Sequence, residues 1–194
     1  MKVFLATNNK HKVCEIKETI NKLSQKKIEF VYPEILDIKL DPDETGNTFE
    51  ENAFIKASAF FNATNIPTLA DDSGLEIEAL NGLPGINSAC FADAHNDNAN
   101  KKKVLKLLEN KQNRNARFRC VLVYYDGKNT TYFNGFCEGT IIKEERGSNG
   151  FGYDSIFVPN GYNTTFAEMN SIEKNSLSHR YLAIVNFTKW LNIQ

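Results

Sequence analysis

Apolar residues run unbroken from Val3 to Ala6, then recur at Val13, Ile16, Ile20 and Leu23. The run predicts a buried strand over Lys2 to Ala6, and the three-to-four-residue spacing predicts a helix after a short polar turn. "KIEFVY" predicts a second strand, and "LDPDETGN", with its Asp, Pro and Gly, a loop. Thr48 with Glu51 forms a capping box ahead of a helix from about Phe49 to Ala63. Phe49, Ala53 and Phe60 fall on its apolar side, with Asn52 and Lys56 one turn apart on another. "TLADDSG" reads as a strand running out at Ser73 and Gly74; "LEIEAL" alternates, and "NGLPGINSA" holds too much Gly and Pro for regular structure. Helical spacing resumes in "DNANKKKVLKLLEN" through Val104, Leu107 and Leu108. "ARFRCVLVYYDGKNTTYFNGFCEGTII" predicts two long strands turning at Asp126 and Gly127. After the loop "ERGSNGFGYDSIF" the chain closes with a helix carrying Leu182, Ile184, Val185, Phe187 and Trp190. No repeat, low-complexity tract or long linker interrupts this α/β pattern, so one domain is expected.

Composition narrows the class. The 194 residues suffice to bury a core without metal or disulfide staples. With 23 basic and 24 acidic residues the net charge is −1, which argues against a nucleic-acid or membrane surface, so any anion must be met by local charge. The apolar start is too short for a signal-peptide core and no run approaches a membrane span, so a soluble cytoplasmic protein is expected. Cys14, Cys90, Cys120 and Cys137 lack C-x-x-C spacing, which fits reduced thiols and not a zinc site. Sequons such as Asn129 with Thr131 would matter only in a secreted chain.

Four stretches could carry chemistry. In "TNNKHK", Thr7 to Lys12, free N–H groups at a helix start would attract phosphate, with Lys10 and Lys12 adding charge; without a P-loop glycine pattern, a polar cap with solvated lysines is the simpler reading. Glu44, Asp71 and Asp72 could converge on a hard cation, since two acids closing an apolar strand are costly unless something pairs with them. "GSNGFGYD", Gly147 to Asp154, sets Phe151 and Tyr153 beside an acid, so a ring could stack on a base while a carboxylate or backbone group reads its edge. Its G-x-x-G-x-G order is not a dinucleotide fingerprint, and a glycine-rich turn is the alternative. In "EKNSLSHR", Lys174, His179 and Arg180 cannot converge on one unbroken helix face; a break near Asn175 to Ser178 would make "SHR" a helix start facing a ligand. His11 and His95 are expected at the surface.

In this order, the four stretches resemble the inosine triphosphate pyrophosphatase family over nearly the whole chain. "FLATNNKHK" is similar to its start, "ETGNTFEENAFIKA" to its acidic loop and helix, "LADDSGLEIEALNGLPG" to its signature, and "FGYD" with "EKNSLSHR" to its C-terminal set. The resemblance implies an elongated two-lobed α/β fold with a long twisted mixed central sheet flanked by helices. Residues 1–194 would then be a single catalytic domain with the substrate cleft between its lobes, acting as a homodimer with Mg²⁺. It assigns Thr7, Asn8, Asn9, Lys10, His11 and Lys12 to the triphosphate, with Lys56 and Ser73 at the phosphate end. Glu44 and Asp71 would hold Mg²⁺, and Asp72 would be the general base, also touching the metal. Phe151, Gly152, Tyr153, Asp154, Lys174, His179 and Arg180 would bind nucleoside and base. Three departures stand out. Cys90 and Phe91 replace a common Arg, Ser155 replaces the Pro of "FGYDP", and Asn8 replaces a Gly, a place that a residue tolerating left-handed backbone can fill.

The implied reaction is hydrolysis of ITP, dITP and XTP between the α and β phosphates, yielding nucleoside monophosphate and pyrophosphate and clearing deaminated purines. Mg²⁺, Lys12 and Lys56 would neutralise charge while Asp72 draws a proton from water. Hypoxanthine and xanthine present O6 as acceptor and N1–H as donor, the reverse of adenine; buried donors such as His179 and Arg180 would discriminate by on the order of 10⁴-fold. The alternatives are a Maf-like pyrophosphatase for pyrimidine or modified nucleotides, for which "FGYD" and "SHR" fit less well, and a nucleotide-binding protein without turnover. The intact acid set argues against the second. No nucleic-acid or membrane partner is expected.

Overall fold

Strand β1 (Lys2–Leu5) buries Val3, Phe4 and Leu5 completely, as its unbroken apolar run predicts for an interior parallel strand. The computed structural model describes residues 1–194. β1 lies parallel to β2 (Glu29–Val31) on one side and to β3 (Thr68–Ile77) on the other. β4 (Asn115–Tyr125), β5 (Thr130–Ile141) and β6 (Phe157–Pro159) complete a six-stranded sheet in the order β2-β1-β3-β4-β5-β6. β6 runs antiparallel to β5, so the sheet is mixed. The helices are α1 (Lys10–Leu23), α2 (Pro33–Leu36), α3 (Phe49–Thr64), α4 (Asp97–Leu107), α5 (Ser171–Leu177) and α6 (His179–Ile193). None is long and apolar enough to cross a membrane.

The chain divides into two units. The first comprises residues 1–72, 120–135 and 180–194; the second comprises residues 73–119 and 136–179. In the first, α1 and α6 lay Val13, Ile16, Ile20, Ile184 and Phe187 against Val3, Leu5, Leu69 and Leu122 of the sheet. Phe4 points the other way and stacks on Phe60 of α3 at 5.2 Å, so helices cover both faces. In the second unit, Leu75 and Ile77 of β3, Val104 of α4, Phe118, Phe157 and Phe166 form a separate core, with Phe118 and Phe157 edge to face at 4.7 Å.

Several local expectations hold for stated reasons. Thr48 caps α3 by accepting from the Glu51 N–H. The reciprocal half of the box is absent, because Glu51 instead accepts from the Asn47 N–H at 2.6 Å. Asp126 Oδ1 accepts from the Lys128 and Asn129 N–H groups and so closes the β4–β5 turn. The chain breaks at Ser178, separating α5 from α6. Others need correction. β3 does not run out at Ser73 and Gly74 but continues to Ile77, absorbing the start of "LEIEAL". Leu107 and Leu182 are exposed, because the buried side of α4 passes through Asn100, Lys101 and Val104 and that of α6 through Ala183, Ile184 and Phe187. The short α2, started by Pro33 at its first position, has no apolar period to announce it. Asn8 is not among the residues with left-handed backbone, so its place makes no glycine-like demand.

Candidate active site

The first unit organises its charges around β3. Successive strand residues face opposite sides of a sheet, and because β3 continues past the acids, Asp71 and Asp72 obey that rule. Asp71 shares its side with Leu69 and meets α1 and α6: its Oδ2 accepts from Lys12 Nζ at 2.9 Å and Arg180 Nε at 3.4 Å. Arg180 also donates from its Nη1 to Glu15 Oε2 at 3.1 Å. Asp72 faces α3, where Asn52 hydrogen-bonds its carboxylate and Lys56 Nζ lies 3.7 Å from Oδ1. The same ammonium is 2.9 Å from Glu44 Oε1. Lys56 therefore joins Glu44 to Asp72, while Asp71, the third acid of the set expected from the sequence, has Lys12 and Arg180 as its hydrogen-bonded cations.

The two neighbours differ electrostatically. Burial alone would raise both carboxyls. At Asp71 the Lys12 and Arg180 charges, with Lys56 behind them, overcome burial and hold the group well below the usual carboxylate range. At Asp72 burial outweighs the pull of Lys56, and the nearby Glu44 and Asp71 charges add to it, so the group is pushed up to about 6. Lys56 is itself desolvated, yet the Asp72, Asp71 and Glu44 carboxylates lift it above its ordinary value and keep it charged. One acid is a locked ionic partner; the other is poised to exchange a proton near neutrality. Glu44 and Asp72 form an all-oxygen set converging on one positive charge, the donor chemistry that suits a hard divalent cation.

The segment Thr7 to Lys12 forms the polar cap of the simpler reading, with Lys12 drawn away from solvent. Asn9 caps α1, its side chain accepting from the His11 and Lys12 N–H groups at 2.9 and 3.3 Å, while its own N–H donates to Thr7 Oγ1. Those helix-end donors are not free. Lys10 reaches Glu34 on α2, and His11 is exposed. Lys12 is the member brought to the carboxylates.

The second unit shapes the loop Gly147 to Asp154. Gly147 has φ 82°, and a Cβ there would fall 2.3 Å from the Ala167 carbonyl carbon. At Gly150, φ 77°, a Cβ would fall 2.1 Å from Asp154 Oδ2, so this glycine lets the carboxylate fold back under the loop. Asp154 Oδ2 then accepts from the Phe151 N–H at 2.9 Å and from Lys174 Nζ at 2.6 Å. Lys174 also lies 5.0 Å from the centre of the exposed Phe151 ring. Tyr153 does not offer its ring: it is buried, and its hydroxyl donates to the Ser88 carbonyl. Gly152 donates its N–H to Asp97. Ser73, the next residue of β3 after Asp72, is half-buried.

The consecutive His179 and Arg180 have separate partners. His179, in the second unit, stacks on Phe118 with centres 4.9 Å apart and planes inclined by 13°. Arg180, in the first, is buried and donates to Asp71 and Glu15. Over the residue where an Arg was expected, Lys103 of α4 lies 4.2 Å from the Phe91 ring centre. Sequence reading missed two partners. Asn52 was visible only as a residue one turn from Lys56, and no motif singled out Glu15; that each completes an ion or hydrogen-bond set depends on residues remote in the chain.

The model of the Ham1 family matches residues 3–190. A dITP/XTP pyrophosphatase of Aquifex aeolicus (strain VF5) is 46% identical, covering 95% of this chain and 93% of the relative. A dITP/XTP pyrophosphatase of Oceanobacillus iheyensis is 44% identical, covering 98% of each. The solved HAM1 protein of Coxiella burnetii superposes with a TM-score of 0.93 at 37% identity, covering 100% of both chains. Matches of this extent, in sequence and in fold, place the chain in the Ham1 family.

Proposed function

We propose that this protein hydrolyses deaminated purine nucleoside triphosphates, ITP, dITP and XTP, to the monophosphate and pyrophosphate. The observation that carries the reading is the pair of adjacent carboxylates, one locked ionic by Lys12 and Arg180 and the other raised to about 6 beside Lys56. The names of the relatives support the substrate class. Lys12 and Lys56 draw the triphosphate, with Thr7 to His11 and Ser73 at the phosphate end. Asp72 accepts a proton from water as the water oxygen bonds to phosphorus, and the bridging oxygen departs with pyrophosphate. Asp71 orients Lys12. A divalent cation, Mg²⁺ by its preference for such oxygens, would be held by Glu44 and Asp72 and supply neutralisation of phosphate charge. Asn52 keeps Asp72 directed toward Lys56.

Base selection falls to the second unit. Asp154 and Lys174 put an acceptor 2.6 Å from a donor, the pattern that N1–H and O6 of hypoxanthine or xanthine demand and adenine reverses; such mismatches reach on the order of 10⁴-fold. Phe151 supplies an exposed ring for stacking. We further take both units as one catalytic domain, the active form as a homodimer and its location as the cytoplasm, where the nucleotide pool lies. Offering ITP, XTP, dITP, ATP and GTP with Mg²⁺ and identifying the phosphate product tests the reading. Pyrophosphate from the deaminated purines is expected; orthophosphate, or equal rates on ATP and ITP, would overturn it.

A further inference from the structure

A cleft of about 650 Å³ opens in the second unit, with Asp97 and Lys101 of α4 on one wall and residues of the loop Gly147 to Asp154 on the other. Asp97 and Lys101 stand four positions apart, so they share a helix face. Lys101 is buried, a placement that costs desolvation unless the ammonium is paired. Its partners are the two ends of the loop. Nζ lies 2.5 Å from Glu145 Oε2, before the loop, and 3.2 Å from Ser155 Oγ, just after it. Ser155 Oγ donates in turn to Glu145 at 2.9 Å, and the Arg146 N–H donates to the Ser155 carbonyl at 2.9 Å. Asp97 Oδ2 accepts from the Gly152 N–H, near the loop's crest, at 2.7 Å. Asp154 lies between these two anchors, and its carboxylate takes direction from the Phe151 N–H beside Gly152.

We propose that Asp97 and Lys101 are positioning residues of α4 that hold the loop Gly147 to Asp154 in register and thereby set discrimination among purine bases. This rests on the reading of Asp154, Lys174 and Phe151 as the nucleobase site. Neither residue touches the base. They act by fixing where the Asp154 carboxylate and Phe151 ring stand, and displacement of a recognition group by about an ångström costs up to roughly 10²-fold.

The test compares Asp97→Ala and Lys101→Met with the conservative Asp97→Asn and Lys101→Arg, and runs Asp154→Asn beside them. For each, kcat and KM are measured on XTP and on ATP, together with the melting temperature. Asp97 is exposed, so its variants remain informative if Lys101→Met folds poorly. Expected for the two disruptive variants is a KM for XTP raised roughly tenfold with kcat within about twofold, a reduced XTP:ATP ratio of kcat/KM, and recovery in the conservative variants. An unchanged ratio in both disruptive variants, while Asp154→Asn abolishes discrimination, would overturn the positioning role and leave the base site standing. Losses that follow the melting temperature and spare the ratio would overturn it equally. Unchanged discrimination in Asp154→Asn would remove the base-site reading itself.

Discussion

At the scale of single residues, Asp71 and Asp72 make opposite predictions. Asp72 titrates at about 6 when folded, against an ordinary 3.8, so between those values the folded chain holds the extra proton. Metal-free protein therefore loses stability as pH rises through that window, and Asp72→Asn removes the loss. Thermal melts of both proteins in chelator at pH 4.5 and 7.5 should show the wild type, but not the variant, gaining at the lower pH relative to the higher. The same variant should lose activity by 10²-fold or more, roughly the contribution of a general base. Asp71 is depressed, so its contribution is present at neutral pH and disappears as pH falls below the ordinary carboxylate value. Asp71→Asn leaves buried Arg180 and Lys12 without their shared partner and should cost about 3 kcal/mol at pH 7, read from the urea midpoint.

At the scale of elements, α3 presents Asn52 and Lys56 to the site from a helix that Thr48 caps. Thr48→Ala should cost about 1 kcal/mol of stability, visible in a denaturant titration, with Glu51 unable to compensate because its carboxylate is already bound to the Asn47 N–H. The helices α1, α3 and α6 were legible in the sequence because each has a local cause: the spacing of Val13, Ile16 and Ile20, the Thr48 cap, the break at Ser178. The continuity of β3 was not, since Ser73 and Gly74 are poor strand formers and what keeps them extended is the sheet around them. The site divided along the same line. Lys56, Asp154 and Lys174 stand in motifs and were named from them. The commitment of Arg180 to Glu15, 165 positions away, is a long-range contact to which no spacing rule applies.

At the scale of the whole molecule, β3, β4 and β5 each contribute residues to both units, so neither core is built from an independent stretch of chain. Unfolding should therefore be a single transition. The sole tryptophan, Trp190, packs with Tyr124 and Phe187 in the first unit and reports on that unit alone. Its fluorescence should change at the same urea concentration as the far-ultraviolet circular dichroism; separated midpoints would show the units melting independently. The alternation of β3 has a further bearing on how such a chain can change over generations. Loss or gain of one residue just ahead of Asp71 would turn the strand over, handing the proton acceptor to Arg180 and the locked acid to Glu44. Length variation ahead of the acids cannot be absorbed locally, and lineages of this protein should tolerate insertions in the exposed connection from Glu109 to Asn113 long before they tolerate one in β3.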